Sequence, residues 1–108
     1  MLQVNESNFV SETKDGVVVV DFSATWCGPC RALTPILEKV QNAKVVKVDI
    51  DQDYKLAEQH KVSAVPKLVF FKNGVEMFDM LGVKSLSEIQ AKVDELNNGY
   101  PTEPQVKT

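Results

Sequence analysis

Val17-Val18-Val19-Val20-Asp21-Phe22-Ser23 leads through Ala24-Thr25 into Trp26-Cys27-Gly28-Pro29-Cys30, and the reading of this stretch decides the fold. The apolar run is too short for a membrane span and has the length of a buried strand. Beyond the second cysteine, Leu33, Ile36, Leu37 and Val40 recur at i, i+3, i+4 and i+7, the spacing of one helix face. The only two cysteines in the 108 residues therefore sit where a strand gives way to a helix. Unsatisfied N–H groups and the positive end of the macrodipole gather at a helix N-terminus, and both stabilise a thiolate. A thiol that ionises near neutral pH is a nucleophile, and a second thiol one turn away can close a disulfide with it. The pattern points to dithiol–disulfide chemistry.

Other uses of the pair fit less well. A structural zinc site takes about four ligands, and the chain offers two cysteines and a distant His60. A purely structural disulfide gains most by tying distant segments, because a short loop removes little entropy from the unfolded chain. An inert buried pair has no need of Gly28-Pro29 between its members. Asp49-x-Asp51-x-Asp53 begins like a calcium loop, but Tyr54 occupies the required glycine and His60 the required glutamate. It reads better as a strand end followed by a helix cap. His60 lies near the end of that helix with no evident catalytic partner.

The bulk properties set the bounds. With 44% hydrophobic and 25% charged residues the composition is that of a soluble globular domain. A net charge of −3 with scattered lysines argues against nucleic acid or an anionic membrane as partner. Met1-Leu2-Gln3-Val4-Asn5-Glu6 lacks the apolar core of a signal peptide, and two cysteines in a redox motif suit a reducing compartment, so a cytoplasmic monomer is expected.

Along the chain, Leu2–Val4 reads as a short edge strand. A helix follows over about 7–14 with Phe9 and Val10 turned inward, ended by Asp15-Gly16. After the strand Val17–Ser23, the next helix is expected over about 30–42 with a kink at Pro35. Val45–Ile50 reads as a strand, Tyr54–His60 as a short helix. Leu68–Lys72 and Val75–Leu81 flank Asn73-Gly74, a strong two-residue hairpin signal. Ser85-Leu86-Ser87-Glu88 is a capping box that opens a last helix with Leu86, Ile89, Val93 and Leu96 on its core side. Gly99 would cap it. Residues 1–98 then form one α/β domain, a mixed central β-sheet with helices on both faces, and 99–108 a loosely ordered C-terminal tail.

The strand, the Trp-Cys-Gly-Pro-Cys turn, the proline-interrupted helix, Val65-Pro66 and the Asn-Gly hairpin occur in one order, and in this the chain resembles the thioredoxin family from about residue 2 to 97. The resemblance implies a thioredoxin-like fold and a protein disulfide reductase. Cys27, the more exposed thiol, would be the attacker and Cys30 the resolver of the mixed disulfide. Pro29 fixes φ where a helix tolerates it, and Gly28 permits close approach of a substrate chain. Trp26 would shield the nucleophile, against the plainer reading of a half-buried core aromatic. Asp21 matches a buried aspartate with raised pKa that accepts the proton of the resolving thiol, and Lys47 the lysine paired with it. From the residues alone, Asp21 is either on the solvent face or buried, and Lys47 an ordinary strand lysine. Pro66 matches a cis-proline facing the dithiol, leaving the Val65 backbone free for an extended client. Ile50, Ala64, Val65, Gly82 and Val83 match the apolar rim of the substrate groove.

Two departures stand out. Ser23 occupies a position where the family usually has a second tryptophan. Lys67 follows Pro66 where threonine is common; its ammonium either reaches the neighbourhood of the Cys27 sulfur, where a cation favours thiolate, or extends into water. By resemblance, no cofactor is bound, electrons come from NADPH through a flavoprotein thioredoxin reductase, and the substrates are protein disulfides. The alternatives left open are a disulfide oxidant or isomerase, and a binding module that regulates a partner by its redox state.

Overall fold

A computed structural model describes residues 1–99 and places nine elements in the order β-α-β-α-β-α-β-β-α. They are β1 Leu2–Gln3, α1 Phe9–Thr13, β2 Val17–Ser23, α2 Gly28–Leu37, β3 Lys44–Asp49, α3 Tyr54–Gln59, β4 Lys67–Lys72, β5 Val75–Leu81 and α4 Leu86–Asn97. The sheet order is β1-β3-β2-β4-β5. β3 runs parallel to both β1 and β2, while β4 is antiparallel to β2 and to β5, so the sheet is mixed as expected.

β2 is central and buried along its whole length, which is why its sequence is a near-continuous apolar run rather than an alternating one. Its two faces feed two cores. Val18, Val20 and Phe22 pack with Val46, Val48, Phe9 and Leu56 beneath α1 and α3. Val17 and Val19 pack with Leu33, Leu37, Leu68, Phe70, Ile89, Val93 and Leu96 beneath α2 and α4. Helices thus cover both faces.

Several boundaries differ from the sequence reading, for identifiable reasons. α1 is a five-residue helix whose buried positions are Phe9 and Thr13, at i and i+4. Val10, expected inside, is 76% exposed because it lies off that stripe. α2 starts two residues earlier than expected and stops at Leu37 rather than Asn42. Pro35 has no N–H for the Arg31 carbonyl, and the N–H groups of Lys39 and Val40 turn to Ile36 and Leu37, three residues back. The helix unwinds instead of continuing past a kink. The capping box at Ser85 is present, with Ser85 Oγ accepting from the Glu88 N–H at 3.1 Å. Asn98 is the cap residue and Gly99, at φ 68°, follows it. The expected tail lies, from residue 100 on, outside the described residues.

The Asn73-Gly74 turn has φ 51° and 84°, the left-handed pair that a tight hairpin requires and that a glycine supplies without strain. Asn73 also locks the far end of β2: its side-chain oxygen accepts from the Gly16 N–H at 2.8 Å, and its own N–H reaches the Gly16 carbonyl at 2.9 Å.

Candidate active site

The site forms where β2 ends and α2 begins. Cys27 is the N-cap of α2, in extended conformation, with Pro29 in the first turn. Its Sγ accepts the N–H of Cys30 at 3.2 Å. Cys27 and Cys30 are joined as a disulfide, their Cα atoms 5.3 Å apart. When the bond is reduced, the Cys27 sulfur keeps a helix-end N–H and the positive end of the α2 dipole, both of which favour thiolate. Cys27 is 5% exposed and Cys30 3%, so the contrast in exposure expected from the sequence is slight. A Cβ at Gly28 would meet only the Arg31 Nη2 at 3.9 Å. Space inside the chain does not require glycine there.

Ala24 packs with the two cysteines, and Ile50 and Val65 lie against this small cluster. The Val65-Pro66 bond is cis, as the resemblance implied. The Val65 carbonyl oxygen lies 3.9 Å from Cys27 Sγ. The β2–β4 ladder ends at Phe22 and Lys67, which leaves the Val65 backbone just beyond the sheet and beside the sulfur. The Gly82 N–H donates to the Pro66 carbonyl at 2.9 Å, which brings Gly82 to the same edge. Val83 is 45% exposed, and Ala64 is also at the surface.

Trp26 is 66% exposed, which excludes the core-aromatic reading. Its indole Nε1 donates to Asp51 Oδ2 at 2.8 Å, and this carboxylate holds the ring beside the dithiol turn. Asp51 was missed in the sequence, where the Asp49-Asp51-Asp53 spacing drew attention only as a failed calcium loop. Asp53 precedes α3, yet its carboxylate accepts from the Glu6 N–H at 3.3 Å and makes no side-chain cap. Among the described residues no group of three or more His, Cys, Asp or Glu side chains is placed to hold a metal.

Asp21 is fully buried, and neither carboxylate oxygen has a hydrogen-bond partner among the described residues. Burial pushes its pKa up from 3.8 to about 6, against a smaller opposing pull from the Lys47 charge. Lys47 stands directly across from Asp21 in the β2–β3 register and is half-buried. Their relation is through space rather than a hydrogen bond.

Lys67 is where the structure departs from expectation. Its Nζ donates to the carbonyls of His60 at 3.2 Å and Lys61 at 3.4 Å, and lies 3.5 Å from Asp79 Oδ2. The side chain closes the C-terminal end of α3, whose last carbonyls lack helical donors. It is 14% exposed and held by these three groups rather than extended into water.

A family model described as Thioredoxin matches residues 1–95. The chain belongs to the thioredoxin family. It is 42% identical over 85 residues to the thioredoxin of Chlamydia trachomatis, covering 75% of this chain and 83% of that protein. To the thioredoxin of Listeria monocytogenes it is 34% identical over 103 residues, covering 91% and 96%. Among solved structures, a mutant thioredoxin from Halobacterium salinarum aligns with a TM-score of 0.80 at 31% identity, covering 89% of each chain. Malassezia sympodialis thioredoxin aligns at 0.78 with 35% identity, covering 89% of this chain and 93% of its own. Thioredoxin membership and the cysteine pair at bonding distance make the protein a thiol-disulfide oxidoreductase, working by reversible dithiol–disulfide exchange. The family acts on protein disulfides, is served by reductases, and needs no bound cofactor. No helix among the described residues is long and apolar enough to cross a membrane.

Proposed function

We propose that this protein reduces disulfides in client proteins in the cytoplasm as a monomer, with residues 1–98 as the working unit. The observation that carries the reading is the position of Cys27 Sγ, at the N-cap of α2 with the Cys30 N–H pointing at it. In the dithiol form, the Cys27 thiolate attacks one sulfur of the client disulfide, and the other leaves as a thiolate. Cys30 then loses its proton and attacks Cys27 Sγ, which re-forms the Cys27–Cys30 bond and frees the second client sulfur. Asp21, buried under α2 with unpartnered oxygens, takes up the Cys30 proton through water, and Lys47 moderates its basicity. The client lies extended across the Val65-Pro66 edge, pairing with the Val65 backbone, between the exposed faces of Trp26 and Val83 and against Ile50, Ala64 and Gly82. The dithiol is restored by NADPH through a flavoprotein reductase.

The test is reduction of insulin disulfides by catalytic amounts of the protein, with NADPH and a thioredoxin reductase as the only electron source. Sustained NADPH oxidation is the expected result. No turnover with any thioredoxin reductase, while dithiothreitol still drives insulin reduction, would remove the proposed electron source. No acceleration under either donor would remove the reductase reading.

A further inference from the structure

The backbone edge beside the dithiol has few hydrogen bonds of its own to hold it in place. The N–H groups of Ser63, Ala64 and Val65 have no acceptor among the described residues, while the Val65 carbonyl lies 3.9 Å from Cys27 Sγ. The position of this stretch is therefore set at its two ends. At the far end the Pro66 carbonyl accepts the Gly82 N–H at 2.9 Å, and Lys67 begins β4. At the near end α3 closes on a left-handed residue. The Lys61 N–H reaches the Glu58 carbonyl at 3.1 Å and the Val62 N–H the Ala57 carbonyl at 2.9 Å, the paired bonds of a Schellman motif. Lys61 has φ 57° there, a conformation that glycine adopts freely and a lysine only at a cost.

The side chain of Lys67 joins these two ends. Its Nζ donates to the His60 carbonyl at 3.2 Å and to the Lys61 carbonyl at 3.4 Å, and Asp79 Oδ2 on β5 lies 3.5 Å from it. An ammonium carries three donors and no acceptor, which suits three oxygens gathered round one point. Residues 61–66 thus form a loop whose exit, Lys67, is bonded back to its entry. The left-handed turn at Lys61 is held by the same contact, through its carbonyl. The anchor itself is fixed: His60 Nδ1 is 3.2 Å from Glu76 Oε1, and the His60 ring packs against Phe9, Phe22 and Phe71. Two carboxylates of β5, Glu76 and Asp79, therefore brace the end of α3 from the neighbouring strand.

We infer that Lys67 is a positioning residue for client binding: it fixes the Ala64-Val65-Pro66 edge in the place where an extended client pairs with it. The inference rests on the disulfide-exchange reading above, and it gives Lys67 no contact with the client or with the sulfurs. A loop already held in its bound shape loses little entropy when a client docks, and a loop released at one end must be ordered at that moment. The loss falls on binding and leaves the sulfur chemistry as it was. Binding lost equally from ground state and transition state raises KM and leaves kcat in place.

Lys67→Met tests this, because it keeps most of the length of the side chain and removes its donors. With insulin as client and dithiothreitol as reductant, KM should rise several-fold while kcat changes little. In the oxidised protein, nitrogen-15 relaxation should give the Ala64 and Val65 N–H groups order parameters like those of β4 in wild type and lower ones in the variant, with β2 and α4 unchanged. Lys67→Arg, which returns a cation with several donors, should bring both measurements back toward wild type. Lys67→Gln carries the same comparison if Lys67→Met does not fold. An unchanged KM overturns the proposal. So does a raised KM with unchanged order parameters, which would make Lys67 a direct contact of the client. Failure of the wild-type chain to reduce insulin would instead strike the disulfide-exchange reading and leave the relaxation comparison standing.

Discussion

Replacing Asp21 by asparagine tests the least ordinary feature of the site. The carboxyl is fully buried, with neither oxygen hydrogen-bonded among the described residues, and its pKa is raised from 3.8 to about 6. At 1.36 kcal/mol per pKa unit, the difference corresponds to about 3 kcal/mol between protonated and ionised forms. The sign follows from linkage. The folded protein holds this proton more tightly than the unfolded chain does, so the stabilising contribution is complete below the unfolded value of 3.8. It is lost as pH rises through about 6, and above that the contribution is level. Asp21→Asn has no such titration. The expected outcome is that the stability of wild type relative to the variant falls by about 2.4 kcal/mol between pH 4 and 7, most of the full difference. At neutral pH the variant should be the more stable, by less than this amount, because an unpartnered buried amide itself costs about 1–3 kcal/mol. Urea unfolding of both oxidised proteins at closely spaced pH values provides the measurement. Parallel stability curves across that window would refute the reasoning, whatever the offset between them. The same variant should release clients from the mixed disulfide more slowly, most clearly above pH 6, if Asp21 accepts the Cys30 proton.

Lys47→Met should move the Asp21 titration further up, since the lysine charge is the one factor opposing burial; an unchanged titration of the Asp21 carboxyl by carbon NMR would contradict this. Cys30→Ser should trap clients as mixed disulfides on Cys27 and Cys27→Ser should trap none, so equal trapping by the two variants would undo the assignment of attacker and resolver. Lys67→Thr should leave the pH profile of Cys27 alkylation unchanged and lower stability by about 1 kcal/mol, the scale of the hydrogen bonds it forfeits at the end of α3. A shifted profile would return the lysine to the dithiol. Ser85→Ala should cost about 1 kcal/mol through loss of the α4 cap, read as a drop in urea midpoint at constant slope.

How far the sequence carries depends on how local the determining interaction is. The β2 run, the Asn73-Gly74 hairpin and the Ser85 capping box are each decided within a few residues, and each stands in the structure where the pattern puts it. The position of the cysteine pair at a strand–helix junction is equally local. Helix ends are less so. α2 stops at Leu37 because the N–H groups of Lys39 and Val40 bond three residues back, and the apolar spacing to Val40 is satisfied by packing of a non-helical turn.

What the sequence leaves undecided is which long-range partner a polar side chain finds. Asp21 is the clearest case. In a strand with one wet face, alternation would have told whether a carboxylate points to water; β2 is covered on both faces, so alternation carries no information and burial has to come from the fold. Trp26 has the same difficulty in reverse. An aromatic beside a redox motif fits a core or a surface, and the deciding contact is with Asp51, 25 residues away, on a loop whose spacing suggested a different chemistry. Lys67 shows the same dependence: it follows Pro66 in sequence, and its partners are set by α3 and β5. Successive residues leaving a strand edge point to opposite sides, and the last carbonyls of α3 offer a lysine there two acceptors together with Asp79. The Cys27 sulfur instead accepts the Cys30 N–H at the start of α2, a contact set within three residues. What places Cys27 at the helix entrance is thus local, and the long-range contacts position what surrounds it.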